Sequence, residues 1–109
     1  MKIVSNALVL IGLSSIGKLF VIRERFPQGI LIPQAVRREV VDEGEGRPGS
    51  REISESEWIR VEKVSDARVV DLLHTELDRG EAEAIALARE VGASIILLDE
   101  RDARRGPNE

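Results

Sequence analysis

The stretch SIILLD, residues 94–99, is the clearest strand in the sequence and decides the fold class. Its four consecutive aliphatic residues, Ile95 to Leu98, predict a strand that is buried on both faces, as in the middle of a parallel sheet. Asp99 follows at the carboxyl end of that strand. A charge in such a place is costly unless another group pairs with it, so Asp99 is a candidate functional residue from the start.

Short apolar runs alternate with helical periods on the N-terminal side of this stretch, which is typical of β–α units and a parallel sheet. We predict strands at residues 2–5, 29–33, 58–64 and 94–99, the third of them partly exposed. The predicted helices cover residues 7–13, 15–26, 33–44, 65–77 and 80–92, and the polar loop between residues 44 and 57 has room for one helical turn. The order predicts an α/β protein, a three-layer α/β/α sandwich with a central parallel sheet whose middle is formed by the first and fourth strands.

Composition limits the classes of function. The 109 residues suit a single domain, which we place at residues 1–105 with a polar tail at 106–109. With 16 basic and 20 acidic side chains the net charge is −4, so charge alone is not expected to hold a nucleic acid. The absence of cysteine excludes thiol chemistry and fits a cytoplasmic protein. No apolar run outside the strands is long enough to cross a bilayer, so we expect no membrane association.

Asn6 interrupts an apolar region where the first strand ends and the first helix begins. One interpretation is a helix cap, because asparagine accepts the free N–H groups of a first helical turn. The other follows from the topology. Ligands of open parallel sheets bind beyond the carboxyl ends of the central strands, and Asn6 and Asp99 both lie at such an end. Both interpretations stay open at this stage.

Three glutamates are further candidates for a site at that edge. Glu39 borders the inner stripe of its own helix, where simple exposure to solvent is the alternative. Glu81 and Glu83 precede the buried stripe of the helix at 80–92. At about 100° per residue, Glu81 lies roughly 60° from that stripe and Glu83 roughly 100° away on the other side. Glu81 is also in the first turn, where the helix dipole favours a carboxylate, so we prefer Glu81.

Oxygen ligands at a strand-end cleft, in a chain with no cysteine and one histidine, suit Mg²⁺ or Mn²⁺ better than zinc. Such ions activate water and neutralise charge in phosphodiester hydrolysis. The alternative for Asp99 is a structural salt bridge to a basic cluster that follows it. That cluster is also a candidate contact for a phosphate backbone, and it consists of Arg101, Arg104 and Arg105.

Four stretches resemble the PIN-domain family, in particular its prokaryotic toxin-like branch of predicted nucleic-acid-binding proteins, and together they cover residues 2 to about 105. They are VSNALVLIGLSSIGKL, ILIPQAVRREVVDEG, WIRVEKV and LDRGEAEAIALAREVGASIILLDER. The resemblance implies a metal-dependent single-strand ribonuclease, VapC-like, often dimeric and often paired with a small antitoxin. Carried across, the family's acidic positions fall on Asn6, Glu39, Glu81 and Asp99.

The resemblance therefore implies that Glu39, Glu81 and Asp99 are catalytic and that Asn6 is a neutral fourth ligand of Mg²⁺ or Mn²⁺. Glu83 and Asp102 are additional acidic candidates. The sequence departs from the family in two ways. The first acidic position is usually aspartate, and the family normally continues beyond the LLDER strand with another strand and a helix. We expect this last strand and helix to be missing. Either the chain is truncated, or a partner chain covers the side of the sheet that is left exposed.

Three hypotheses follow from these residues. The first is a metal-dependent endoribonuclease of the toxin type, acting on RNA, with a homodimer and a small antitoxin as partners. The second is a catalytically inactive PIN-like remnant that binds nucleic acid or protein, for which the two departures argue. The third is a protein-interaction module whose sheet edge is completed by another chain.

Overall fold

A computed structural model describes residues 1–47 and 49–99. Its strands are β1 (Ile3–Ser5), β2 (Ile30–Pro33), β3 (Ile59–Glu62) and β4 (Ile95–Leu97). Its α-helices are α1 (Ala7–Ser15), α2 (Phe20–Arg25), α3 (Gln34–Arg37), α4 (Ser50–Glu55), α5 (Ala67–His74) and α6 (Arg79–Val91). A π-helical segment at Arg38–Asp42, here called the π turn, continues directly from α3. The element order confirms the predicted alternation of strands and helices.

The four described strands form one parallel sheet in the order β3-β2-β1-β4. Ile3, Ile30 and Ile32 contribute to a core on one face, with residues of α1, α2, α3, the π turn and α4. Val4 and Leu31 contribute to a core on the other face, with residues of α6. This alternation of adjacent strand residues between the two faces is what period-2 geometry requires. Helices on both faces confirm the three-layer α/β/α class.

The predicted position of β4 in the middle of the sheet is wrong for the described part of the chain. β1 is central there, pairing with β2 on one side and β4 on the other, and β4 has one described neighbour. Ile95, Ile96 and Leu97 are half-buried, and Leu98 is 39% exposed. A run of aliphatic residues indicates that a strand is covered on both faces of the sheet. It does not indicate which strands pair with that strand.

Other boundaries also differ from the predictions. The second helix, α2, is shorter than the predicted helix at 15–26, because a turn with Gly17 at φ 71° separates α1 from α2. The predicted helix at 33–44 divides into α3 and the π turn. The loop that we expected to hold one helical turn contains α4. In the described part of the chain, no helix is long and apolar enough to cross a membrane.

The topology brings several chain segments to one edge of the sheet. In a parallel sheet all the strands end on the same side, and a helix that leads from one strand to the next runs back in the opposite direction. The N-terminal turn of α6, which precedes β4, therefore lies at the edge where β1, β2 and β4 end. The α3 helix starts at that edge as well, because it follows β2 without a loop.

Candidate functional site

Asn6 lies buried between β1 and α1 and is the N-cap of α1. Its side-chain Oδ1 accepts the N–H of Val9 at 3.2 Å. Its own backbone N–H donates to the carbonyl oxygen of Leu97 at 3.0 Å, which ties the residue to the end of β4. The predicted cap is confirmed. An amide oxygen has two lone pairs, so the cap leaves the proposed role of Asn6 toward a cation compatible with this geometry.

Glu39 lies half-buried on the π turn, and its carboxylate packs against the start of α6. A Cβ atom added to Gly80 would lie 3.0 Å from Glu39 Oε1 and 3.7 Å from Asp78 Oδ1. The absence of a side chain at Gly80 thus allows the Glu39 carboxylate to approach the first turn of α6 closely. π turns of this kind occur often at functional sites, because one extra residue re-aims the side chains that follow.

The first turn of α6 is held by Asp78 and carries Glu81. Asp78 is the N-cap, and its Oδ1 accepts the N–H of Glu81 at 2.8 Å, which is the N-cap half of a capping box. The Glu81 side chain is buried, with 4% of its surface exposed. A carboxylate in this turn is stabilised by the N–H groups and the dipole of the helix. Glu39 therefore approaches the same helical turn that carries Glu81.

Glu83 is also buried, although helical spacing placed it away from the buried stripe. Its Oε1 accepts the N–H of Ala35 at 3.0 Å, and Arg79 donates from Nε to its Oε2 at 3.2 Å. Helix α3 packs beside α6 and covers the side of α6 that carries Glu83. The buried face of α6 is for this reason wider than a single apolar stripe predicts. Both oxygens of Glu83 are engaged in contacts between protein groups.

Asp99 is half-buried and lies just beyond the end of β4. Ser5 is paired with Leu97 across the two strands, so Asn6 and Asp99 emerge at the same edge of the sheet. The remaining predicted residues are Asp102 and the basic cluster Arg101, Arg104 and Arg105, and all of them lie outside the described residues. The alternative salt bridge between Asp99 and that cluster lies there too.

Two depressions are lined in part by Glu39. One has a volume of about 250 Å³ and is lined by Ala35, Arg38, Glu39, Glu43, Asp78, Arg79 and Gly80. The other has a volume of about 300 Å³ and is lined by Ile11, Glu39, Val40, Glu43, Gly44 and Arg47. The sequence patterns did not single out the arginines in these linings. Only the spacing of Arg79 and Glu83, four residues apart on one helix, is a signal that could have singled out one of them.

The donor set at this edge is made of carboxylate and amide oxygens, which fits a hard divalent cation. Within residues 1–47 and 49–99, however, no group of three or more His, Cys, Asp or Glu side chains is arranged to hold a metal ion. Mg²⁺ usually binds to one or two carboxylates and completes its coordination with water and substrate phosphate oxygens, without a cage made of protein alone. The chemistry of the donors fits such an ion, and the described conformation contains no complete protein cage.

Comparison with known proteins places the chain in a family. A family model with the description PIN domain matches residues 2–108, which is almost the whole chain. No curated protein and no solved structure matches the chain.

Proposed function

Because the chain belongs to the PIN-domain family, we propose that it is a metal-dependent endoribonuclease of the toxin type that hydrolyses phosphodiester bonds in single-stranded RNA. The observation that carries this proposal is the packing of Glu39 Oε1 against Gly80, next to Glu81 in the first turn of α6. Two carboxylates from different elements at one helix N-terminus, with Asp99 at the same edge of the sheet, are suited to a divalent cation.

Glu39, Glu81 and Asp99 would hold one Mg²⁺ or Mn²⁺, with the amide oxygen of Asn6 as a neutral ligand. The bound ion supplies charge neutralisation at the phosphate and lowers the pKa of water. The chain orients these oxygens through the elements that carry them. Glu81 is held by the N-terminal turn of α6, Glu39 by the π turn, and Asn6 by its capping hydrogen bond to α1. Asp102 stays a proposed additional acidic residue.

Arginines are proposed to contact the phosphates of the substrate. Arg38, Arg47 and Arg79 line the depressions beside Glu39, where a positive charge favours a nucleic-acid backbone. The proposed contacts from the sequence, Arg101, Arg104 and Arg105, follow Asp99 in the chain and would extend such a surface. A local basic surface of this kind is compatible with a chain of net charge −4.

The experiment that tests the proposal is cleavage of end-labelled single-stranded RNA in Mg²⁺, in Mn²⁺ and in EDTA. We expect cleavage with either ion, none in EDTA, and none by the Asp99→Ala variant. The matched control is Asp71→Ala, which removes an exposed aspartate on α5 that is none of the proposed acidic positions. Cleavage that survives in EDTA or in Asp99→Ala would contradict the proposed chemistry.

A second function, an inactive PIN-like protein that binds nucleic acid, is favoured by Asn6. An amide at this position adds no charge to the site, and the described residues contain no group of three acidic ligands. A folded wild-type protein that binds single-stranded RNA without cutting it in either metal would support this function over the first.

Partners and location are proposed from the toxin-type resemblance. We expect a homodimer, a small antitoxin that blocks the acidic edge, and a cytoplasmic protein. Size-exclusion chromatography with light scattering tests the dimer directly. A strict monomer at high concentration would contradict it, and would also weaken the alternative of an interaction module that another copy completes.

A further inference from the structure

Glu83 joins the two segments of chain that carry Glu39 and Glu81. The residue is buried, and each carboxylate oxygen has a partner: Oε1 accepts the N–H of Ala35, and Oε2 accepts Nε–H of Arg79. Burying a carboxylate is costly unless it is hydrogen-bonded or paired, and these two contacts offset that cost. The arrangement therefore requires a structural or a functional reason.

The contact with Ala35 satisfies the beginning of α3. The residue before that helix, Pro33, provides no side-chain cap, so an orphan N–H group at its first turn takes its acceptor from α6 instead. Glu39 follows Ala35 by about one helical turn, on the π turn that continues α3. Glu81 precedes Glu83 by two residues in α6. One carboxylate thus fixes the start of α3 to the start of α6.

The ion pair with Arg79 fixes the same carboxylate from within α6. Arg79 and Glu83 are one turn apart, and the Arg79 side chain is 52% exposed while that of Glu83 is 11% exposed. The arginine neutralises the buried charge and limits the carboxylate to the orientation in which Oε1 reaches Ala35. A metal ligand set depends on outer groups of this kind, which hold the ligands in place before the ion arrives.

We propose that Glu83 is a positioning residue for the acidic site: it sets the separation of Glu39 and Glu81 by holding α3 to the first turn of α6. It acts through these two residues and does not itself bind the cation. This inference rests on the proposed function, since it concerns the same site. It assigns to Glu83 a role different from that of the additional ligand suggested by sequence.

The chain offers a matched control at the other end of α6. Glu90 also uses its carboxylate to accept backbone N–H groups at the start of a helix, with Ser65 N–H at 2.9 Å and Asp66 N–H at 2.7 Å. It shares with Glu83 the acceptance of backbone N–H groups, but it is exposed, holds α5 and lies near the C-terminal end of α6, away from Gly80. Loss of Glu90 therefore removes a contact between α6 and another helix start without touching the segments that carry Glu39 and Glu81.

The test is Mn²⁺ binding, followed by electron paramagnetic resonance, in Glu83→Ala, Glu83→Gln and Glu90→Ala, with thermal unfolding of each variant. We expect Glu83→Ala to weaken Mn²⁺ binding about tenfold or more, as outer groups of metal sites do. Glu83→Gln keeps an acceptor for Ala35 and should lose less, and Glu90→Ala should bind as the wild type does. Wild-type affinity in Glu83→Ala, or an equal loss in Glu90→Ala, would overturn the proposal.

A second readout separates this inference from the proposed function. If the wild type binds no Mn²⁺, the proposed function fails, and the positioning is then measured in the metal-free protein by the amide NMR shift of Gly80, which lies against Glu39. Glu83→Ala should move this resonance and Glu90→Ala should not. An unmoved Gly80 resonance overturns the positioning role. If Glu83→Ala does not fold, Arg79→Ala replaces it in the Mn²⁺ measurement with the same expectation, and the metal-free comparison then follows the amide resonance of Glu39, the other partner of the contact with Gly80.

Discussion

Gly80→Ala is expected to improve the stability of the protein while it damages the site. The position is helical, and its backbone angle does not require glycine. Two of the three atoms near an added Cβ, on Asp78 and Val36, would lie at 3.7 Å, which is ordinary contact. The third, Glu39 Oε1, would lie at 3.0 Å. The substitution therefore acts on one functional carboxylate and on little else.

The magnitudes follow from these distances. Ordinary contact begins at 3.4 Å, so the Glu39 carboxylate must move by about 0.4 Å. Mg²⁺ requires ligand distances of about 2.0–2.1 Å in nearly regular octahedral geometry, so a shift of this size takes one ligand out of place. We expect about a tenfold loss of affinity for the ion, or about 1.4 kcal/mol. Replacing glycine by alanine within a helix should meanwhile stabilise the fold by about 0.5–1 kcal/mol.

The assay pairs Mn²⁺ titration with urea unfolding of the same samples. The expected result is weaker ion binding together with an unchanged or higher free energy of unfolding. The control repeats Gly80→Ala in a Glu39→Ala background, where the alanine has no carboxylate to displace and should give its full stabilisation. Wild-type affinity in a protein that gained stability would refute the inference that Glu39 and the first turn of α6 belong to one metal site.

The remaining predictions concern other parts of the chain. Asn6→Ala should cost about 1 kcal/mol of stability in urea unfolding by removing the cap of α1, whereas Asn6→Asp should keep the cap and tighten Mn²⁺ binding through its added charge; equal Mn²⁺ affinity in Asn6→Asp would contradict its place at the site. Gly29→Ala should lower the unfolding free energy by more than about 1 kcal/mol without affecting the ion, because φ is +89° and the new Cβ would lie 2.5 Å from the Trp58 carbonyl oxygen. The last prediction replaces Arg101, Arg104 and Arg105, the proposed phosphate contacts, by alanine. The slope of log K for RNA binding against log salt concentration should become shallower by roughly 0.7 for each contact that is real, and an unchanged slope would exclude them.

Local patterns in the sequence predict most elements of the fold. The apolar runs around Val4 and Leu31 are strands, as predicted. The helix before β4 ends at Gly92, and the left-handed conformation of this glycine is typical of a helix C-terminus. The π turn could not be predicted, because a segment of five residues is too short to show a period different from that of an α-helix. The place of β4 in the sheet was also out of reach, because an apolar run reports burial and not strand order.

The candidate site follows the same division. The cap by Asn6 joins residues that are close in sequence and could therefore be predicted. The packing of Glu39 against Gly80 and the bond from Ala35 to Glu83 join distant parts of the chain, and only the packing of α3 on α6 creates them. The sequence therefore suggested Glu83 as an additional ligand, whereas in the structure both of its carboxylate oxygens accept hydrogen bonds from other protein groups.

The central claim, that the acidic edge of the sheet binds a divalent cation, is tested most directly by crystals soaked in Mn²⁺ and measured for anomalous scattering. We predict an anomalous peak beside the first turn of α6, within about 2.2 Å of carboxylate oxygens of Glu39 and Glu81. The peak should be absent from crystals of Asp99→Ala grown and soaked in the same way. A wild-type crystal with no peak at this edge, or with Mn²⁺ bound only elsewhere, would contradict the account.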